Sequence, residues 1–281
     1  MILKLKFFNK YITVIIIVAI LLLFKVAFNN NITIREYHIS SNKINNPITI
    51  VLVADLHSTL YSDNKANPVR IIKNINPDLI MLAGDIFDDK TPDIGAEIFL
   101  SGIQDIAPIF YVTGNHEYWA GRIPEFLHIL DLYNVTSLDS EFITIDIKEN
   151  RLLIAGISDP EKDYYYPYKN NSINRFSFLS EISDDEKYNI LLSHRPEPIE
   201  KYTAYPIDLV LSGHTHGGQV RIPFLLNGLY APNQGWFPKY AGGFYRINSC
   251  DMIVSRGMSI NKRLPRIFNP PEIVVIHLSN E

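Results

Sequence analysis

Thiols are almost missing from this 281-residue chain, in which Cys250 is the single cysteine. No intramolecular disulfide can form, so a disulfide-built scaffold is excluded. A structural zinc site leaning on thiolates is excluded as well. Excess positive charge is missing too. With 26 Lys and Arg against 30 Asp and Glu, the formal net charge is −4. That gives no bulk attraction for polyanions and does not favour nucleic acid as a partner. No internal repeat, low-complexity run or strong boundary breaks the chain after residue 46. What the chain has is apolar material, 47% hydrophobic and 12% aromatic, which indicates a globular protein with a large core.

Charge vanishes altogether near the amino end. Met1–Lys10 carries Lys4, Lys6 and Lys10 and no acid, and Tyr11–Phe24 is free of charge. With Lys25 tolerated, the apolar run reaches Phe28, long enough for the ~20 residues that cross a bilayer. A cleaved signal peptide is the rival, but Lys25-Val26-Ala27 makes a poor small-residue cleavage site. A buried core helix is disfavoured because the charge-free stretch has no polar face. Residues 1–28 are therefore expected to be an uncleaved signal anchor, a single-pass transmembrane helix in the cell membrane. The lysines keep its amino end cytoplasmic and the large domain on the extracytoplasmic side. Residues 29–46, polar and asparagine-rich, read as a tether or edge segment, and 47–281 as the domain proper.

Within that domain, strand and helix alternate. Pro47–Ala54 is apolar on both faces, as a buried strand is, and ends in Asp55-Leu56-His57. A helix is expected over Asn67–Asn76, with Pro68 at its first position. Asp78–Ala83 is a second buried strand, ending in Gly84-Asp85-Ile86-Phe87-Asp88. Helices are also predicted over about Ile94–Ile106 and Pro124–Leu132. Between them, the strand Pro108–Val112 ends in Gly114-Asn115-His116-Glu117. Phe142–Ile147 and Leu152–Ile157 read as a hairpin. Tyr188–Leu192 leads to His194, and Leu209–Leu211 leads to His214 and His216. Phe244–Ile247, Met252–Ser255 and Ile273–Leu278 read as strands of a second sheet. This pattern argues for an α/β layered fold with parallel pairing, in which ligands gather at the carboxyl ends of strands.

Five strand ends thus present Asp55 with His57, Asp85 with Asp88, Asn115 with His116, His194, and His214 with His216. In an extended backbone His214 and His216 would point to one side. Imidazole and oxygen donors suit Mn, Fe or Zn. There are more of them than one ion can use, whereas two divalent ions sharing a carboxylate would use all of them. Paired ions clamp the attacking and leaving oxygens of a displacement at phosphorus.

D-x-H, G-D-x-x-D, G-N-H-E, a later lone His and G-H-x-H, spanning residues 55–216, resemble the complete motif set of the calcineurin-like metallophosphoesterases. The G-H-T-H-G-G-Q form, the following R-I-P and the V-S-R-G…P-E-I tail are similar to a bacterial branch. That branch holds membrane-anchored or exported phosphodiesterases, including UDP-diacylglucosamine pyrophosphohydrolase-like proteins. The resemblance implies a four-layer α/β/β/α sandwich. It also implies a dinuclear centre in which Asp55, His57 and His216 hold one metal and Asn115, His194 and His214 the other, with Asp85 bridging. A metal-bridging hydroxide would attack. His116 would stand beside the leaving group as general acid or charge stabiliser, oriented by Asp88.

The expected activity is hydrolysis of a phosphate ester or anhydride, a diester before a monoester, in a phosphorylated small molecule or a lipid or cell-envelope substrate. An inactive metal-binding scaffold and an exported nuclease are the alternatives. Gly217-Gly218 is expected to leave room for a phosphate. Arg256, Lys262, Arg263 and Arg266 form a basic cluster that is either a site for anionic lipid or substrate phosphate or a solvated loop. Tyr164–Tyr168 reads as loop packing before an aromatic lip.

Overall fold

The computed structural model describes residues 2–61, 67–166, 175–183, 186–260 and 264–280, with side chains from Tyr11 onward. In chain order its strands are β1 (Thr33–Ser40), β2 (Ile48–Val53), β3 (Leu79–Ala83), β4 (Ile109–Val112), β5 (Val135–Ser137), β6 (Glu141–Ile147), β7 (Asn150–Ile157), β8 (Tyr188–Ser193), β9 (Leu209–Ser212), β10 (Tyr230–Ala231), β11 (Gly235–Trp236), β12 (Gly243–Ile247), β13 (Cys250–Val254) and β14 (Glu272–Ser279). The helices are α1 (Ile2–Ala27), α2 (Pro68–Ile75), α3 (Ile94–Ile103), α4 (Asn115–Trp119), α5 (Ile123–Leu132), α6 (Glu161–Tyr165) and α7 (Ile199–Tyr202).

Two six-stranded sheets form the centre, in the orders β1-β14-β2-β3-β4-β5 and β12-β13-β9-β8-β7-β6. The alternation of side chains along each strand decides what lies on either face. In β2, Ile50 and Leu52 point into the core between the sheets, where they meet Ile154, Ile190 and Leu211. Val51 and Val53 point the other way, against Ile72 of α2 and Phe99 and Leu100 of α3. The outer face of the second sheet, including Leu153, Leu191 and Val210, is covered by Leu179, Ile199 and Tyr202. Three cores thus separate four layers. The fourth layer is slight, made of the single turn α7 and a 3₁₀ turn at Ser177–Glu181.

Local signals explain the element ends. The Asn67 side chain accepts hydrogen bonds from the backbone N–H groups of Val69 and Arg70, with Pro68 following, so α2 starts there. At its other end Asn76 takes the left-handed conformation that caps helices (φ 51°). The β6–β7 hairpin turns on Lys148 and Glu149, both at positive φ, as a tight two-residue hairpin turn requires.

Two expectations change. Ile273–Leu278 belongs to β14 in the first sheet, between β1 and β2; its apolar run fits a central strand of either sheet equally well. Thr33–Ser40, within the segment read as a tether or edge segment and placed outside the domain proper, is the edge strand β1, paired in parallel with β14. The expected transmembrane helix is a helix over Ile2–Ala27. Among the described residues, however, no helix is long and apolar enough to cross a membrane. Its side chains from Tyr11 to Val26 are all exposed, with Ile15 and Val26 as examples.

Candidate metal centre

The site lies where β2, β3, β4, β8 and β9 end, and the backbone there is bent in an unusual way. Asp55, His57, Asp85, His214 and His216 all have positive φ, between 48° and 70°. For residues with a Cβ this conformation costs about 1–2 kcal/mol each. Such strain gathers where surrounding contacts over-determine a functional geometry. The contacts are visible: His57 N–H donates to Asp85 O (2.9 Å), Asp55 N–H to Gly84 O (3.1 Å) and Gly213 N–H to His194 O (3.0 Å). Close approach also demands glycine. A Cβ on Gly114 would lie 2.2 Å from Asp85 Oδ1, and one on Gly257 (φ 72°) 2.6 Å from Asp55 Cβ.

These bends gather the donors into two groups. In one, ligand atoms of Asp55, His57 and His216 lie within 4.8 Å of one another. His57 Nε2 is buried there without a hydrogen-bond partner, while its Nδ1 meets Asp88 Oδ1 at 3.1 Å. His216 Nδ1 meets Ser259 Oγ at 3.2 Å, leaving Nε2 on the side of Asp55 Oδ1 (3.8 Å). In the other group, His194 Nε2 is the meeting point. Asn115 Oδ1 stands at 3.2 Å, His214 Nδ1 at 3.1 Å and Asp85 Oδ2 at 3.3 Å. His194 Nδ1–H donates to Ala83 O (2.8 Å), which holds the ring from behind and turns Nε2 toward this group. Asp85 Oδ2 also faces His57 Nε2 at 3.6 Å, so one carboxylate oxygen looks into both groups.

The electrostatics express a surplus of buried negative charge. Burial pushes the Asp55 carboxyl up, and neighbouring Asp85 adds to this. Burial would do the same to Asp85, but His194, His57 and His116 hold it well below the usual carboxylate range. Burial opposes a charge on His194, yet Asp85 beside it raises its pKa to about 10. His214, buried with His194 and Arg195 nearby, is pushed down to about 3 and stays neutral.

His116 stands at the rim. Its Nδ1 meets Asp88 Oδ1 at 3.0 Å and Asp89 Oδ1 at 2.8 Å, and its ring lies 4.6 Å from that of Trp119. Burial works against its charge, but the hydrogen bond with Asp88 and the carboxylates of Asp85 and Asp89 raise its pKa to about 9. Asp88 therefore meets His116, as expected, and also His57.

Four contributing residues escaped the sequence reading. Asp89 adjoins the expected Asp88. Asn233, at the turn of the β10–β11 hairpin, sets Oδ1 2.7 Å from His214 Nε2. Ser259 meets His216. Glu117, fully buried, accepts from the N–H groups of Asp85 (3.1 Å), Phe87 (3.0 Å) and Gly114 (2.8 Å), lashing the ends of β3 and β4 together. Its place in G-N-H-E was the available signal; Asn233 and Ser259 lie in loops without one.

Other expectations are corrected. His214 and His216 do not sit side by side on an extended strand, because β9 ends at Ser212 and both residues are left-handed. They face different groups, the division that the family resemblance implies. At Gly217-Gly218 the side that a Cβ would occupy is filled by protein: a Cβ on Gly217 would lie 2.2 Å from Asn269 Oδ1 and one on Gly218 2.4 Å from Gly228 Cα. Arg256 and Arg266 are buried, not a surface cluster. Arg256 faces Glu272 (3.5 Å), and Arg266 donates to the carbonyls of Ser259 and Arg256; Lys262 and Arg263 lie outside the described residues. In the tyrosine-rich stretch Tyr164–Tyr166 are exposed, and the Tyr166 ring meets Tyr118 edge-on at 6.2 Å. Pro167 and Tyr168 lie outside the described residues.

The donors fit divalent ions. They are imidazole, carboxylate and amide oxygen, a set suited to Mn, Fe or Zn. An unpartnered Nε2 on His57 and histidine rings fixed from behind match the way ligating imidazoles are held.

Comparison with known proteins agrees with this geometry. A family model described as Calcineurin-like phosphoesterase matches residues 48–218. A Helicobacter pylori protein described as an uncharacterized metallophosphoesterase is 29% identical over 250 residues, covering 87% of this chain and 63% of its own length. This chain therefore spans less than two thirds of that relative. The uncharacterized metallophosphoesterase YkuE of Bacillus subtilis is 27% identical over 240 residues, covering 82% of this chain and 79% of its own. Haemophilus influenzae NAD nucleotidase shares the fold at 14% identity and TM-score 0.51, over 76% of this chain and 46% of its own.

Proposed function

The chain belongs to the calcineurin-like phosphoesterase family, and from that premise we propose that it is a metal-dependent hydrolase of phosphate diesters with two ions in its site. The observation that carries the reading is the sharing of Asp85 Oδ2 between two donor groups, at 3.6 Å from His57 Nε2 and 3.3 Å from His194 Nε2. Asp55, His57 and His216 would hold one ion, Asn115, His194 and His214 the other, and Asp85 would serve both. Ions bound there supply Lewis acidity toward phosphoryl oxygens and lower the pKa of water.

The chain's own residues do the rest. Asp88 and Asp89 hold Nδ1 of His116, which leaves Nε2 free to give a proton to the departing oxygen or to stabilise its charge. Trp119 backs the ring. Asp88 also steadies His57, so the acid and one metal ligand share a support.

Full-length protein loaded with Mn²⁺ is expected to cleave bis-p-nitrophenyl phosphate. The reading fails if that diester, nucleotide sugars and lipid phosphodiesters all stay uncut. Residues 1–28 anchor the protein in the cell membrane as a single pass, with the catalytic domain outside and a lipid or other phosphorylated envelope compound as substrate. The exposed apolar side chains from Tyr11 to Val26 support this. Protease added to intact cells should digest the large domain; its survival would overturn the orientation.

A further inference from the structure

Between Arg221 and Lys239 the chain shows a cluster of large apolar side chains to solvent. Phe224 is 108% exposed, Leu225 84%, and Trp236 and Phe237 67% each, with Ile222 and Tyr230 about half exposed. An exposed apolar patch of this extent marks a surface that meets something other than water. The tip is ordered: Ile222 and Leu226 exchange two backbone hydrogen bonds (3.0 and 2.8 Å), and Leu225 N–H returns to Ile222 O. Phe224 and Phe237 are held at φ 67° and 56°. That conformation is unusual for a bulky residue, and here no burial in the protein compensates it.

Two observations say what covers this surface. The first is charge: no Asp or Glu occurs from Leu209 to Cys250, and the excursion carries only Arg221 and Lys239. Trp and Tyr beside aliphatic residues, with no acid in the excursion itself, is the composition of a bilayer interface; the carboxylates that approach Lys239 and Gln234 are those of Glu200 and Glu197, at and before α7. The second is continuity with α1. Phe268 N–H donates to Ala27 O (2.7 Å), fixing the carboxyl end of that helix. The adjoining Ile267 is bridged to Val220 and accepts from Arg221 N–H (2.9 Å). The helix, exposed and apolar from Tyr11 to Val26, therefore ends beside the β-bridge from which the apolar tip departs.

We propose that Ile222–Phe237 is a second lipid-contacting surface, which lays the mouth of the site against the bilayer. This rests on α1 being a membrane anchor. The β10–β11 hairpin connects the two: its strands expose Tyr230 and Trp236, and its turn puts Asn233 on His214. A phosphate at headgroup depth is then brought beside the metal ligands, so the substrate class is an amphiphile presented from the membrane.

The test uses the full chain reconstituted into phosphatidylcholine–phosphatidylglycerol vesicles, with plain or brominated acyl chains, separated by flotation. The protein has two tryptophans, and bromine quenches the emission of one that touches lipid. The wild type is expected to float and to lose emission in the brominated vesicles. That loss should disappear in Trp236→Phe and shrink in the double variant Phe224→Ser/Leu225→Ser. Floating protein whose emission is the same in both lipids, or whose loss persists in Trp236→Phe, overturns this inference and leaves the anchor standing. Protein that does not float overturns the anchor reading, and this one with it.

Discussion

Asn233 reaches from a hairpin turn to His214, nineteen residues back along the chain, and sets its Oδ1 2.7 Å from Nε2. The ring N–H therefore sits on Nε2, and Nδ1 is left to face His194 Nε2 at 3.1 Å. Asn233 itself is held at φ 60°, so the loop adopts an unfavourable conformation to make this contact.

Replacing Asn233 with Ala should free the tautomer of His214 and weaken Mn²⁺ binding by about 10–100-fold, as is usual for partners that orient metal-binding histidines. Competition against a chromophoric chelator measures this. An unchanged dissociation constant would remove Asn233 from the site.

His116→Ala should lower turnover by about 10²–10⁴-fold, the range of general acid–base catalysis. Metal content by elemental analysis should stay the same, since His116 is no ligand in the proposed centre. Loss of an ion would mean that His116 serves as a ligand instead.

Glu117→Ala leaves three N–H groups without their acceptor in a fully buried place. Unsatisfied buried donors cost about 1–3 kcal/mol each and do not add simply, so a loss of about 3 kcal/mol or more is expected. The urea midpoint reads it.

Chelation with EDTA should abolish activity and lower the melting temperature. At 100 times the dissociation constant, a bound ion stabilises by about 2.7 kcal/mol per site, or roughly 5–10 °C in a domain of this size. Readdition of Mn²⁺ should restore both, and a melting temperature insensitive to chelator would argue against a resident ion.

Burial, with Asp251 and Asp208 nearby, pushes the Cys250 thiol up to about 12. The folded value lies above the ~8.5 of a free thiol, so folding disfavours the thiolate. The contribution to stability is whole below about pH 8.5 and is lost as pH rises toward 12. Native protein at pH 8 should not react with a thiol-specific disulfide reagent, whereas unfolded protein should. The fall in stability from pH 9 to 11 should be shallower in Cys250→Ser.

Much of this was legible because strand ends carry their chemistry in short contiguous words. Asp55-Leu56-His57, Asn115-His116 and His214-Thr215-His216 sit against runs whose two-sided apolarity marks buried parallel strands. The pairing of ligands was not legible from backbone rules, since the left-handed bend at His214 and His216 cannot be read from an extended-chain picture. Ser259 and Asn233 escaped because loop residues that touch the site from afar carry no periodic signal. The placement of β14 escaped because an apolar run does not say which sheet it joins. Arg256 and Arg266 misled as a surface cluster because sequence proximity of like charges says nothing of burial; Glu272 and backbone carbonyls take them inside.

The parallel pairing of β1 with β14 joins Thr33 to Glu272. β1 finds its neighbour only once β14, far along the chain, has been made. Until then the first sheet lacks the strand that separates β1 from β2, and contacts so distant in sequence form slowly. Removing β14 would also strip β1 of its partner. The segment leading from α1 then becomes a free strand edge, the kind of surface on which chains pair with one another. A truncation that removes β14 would thus be felt far away in sequence, as aggregation that begins beside the helix.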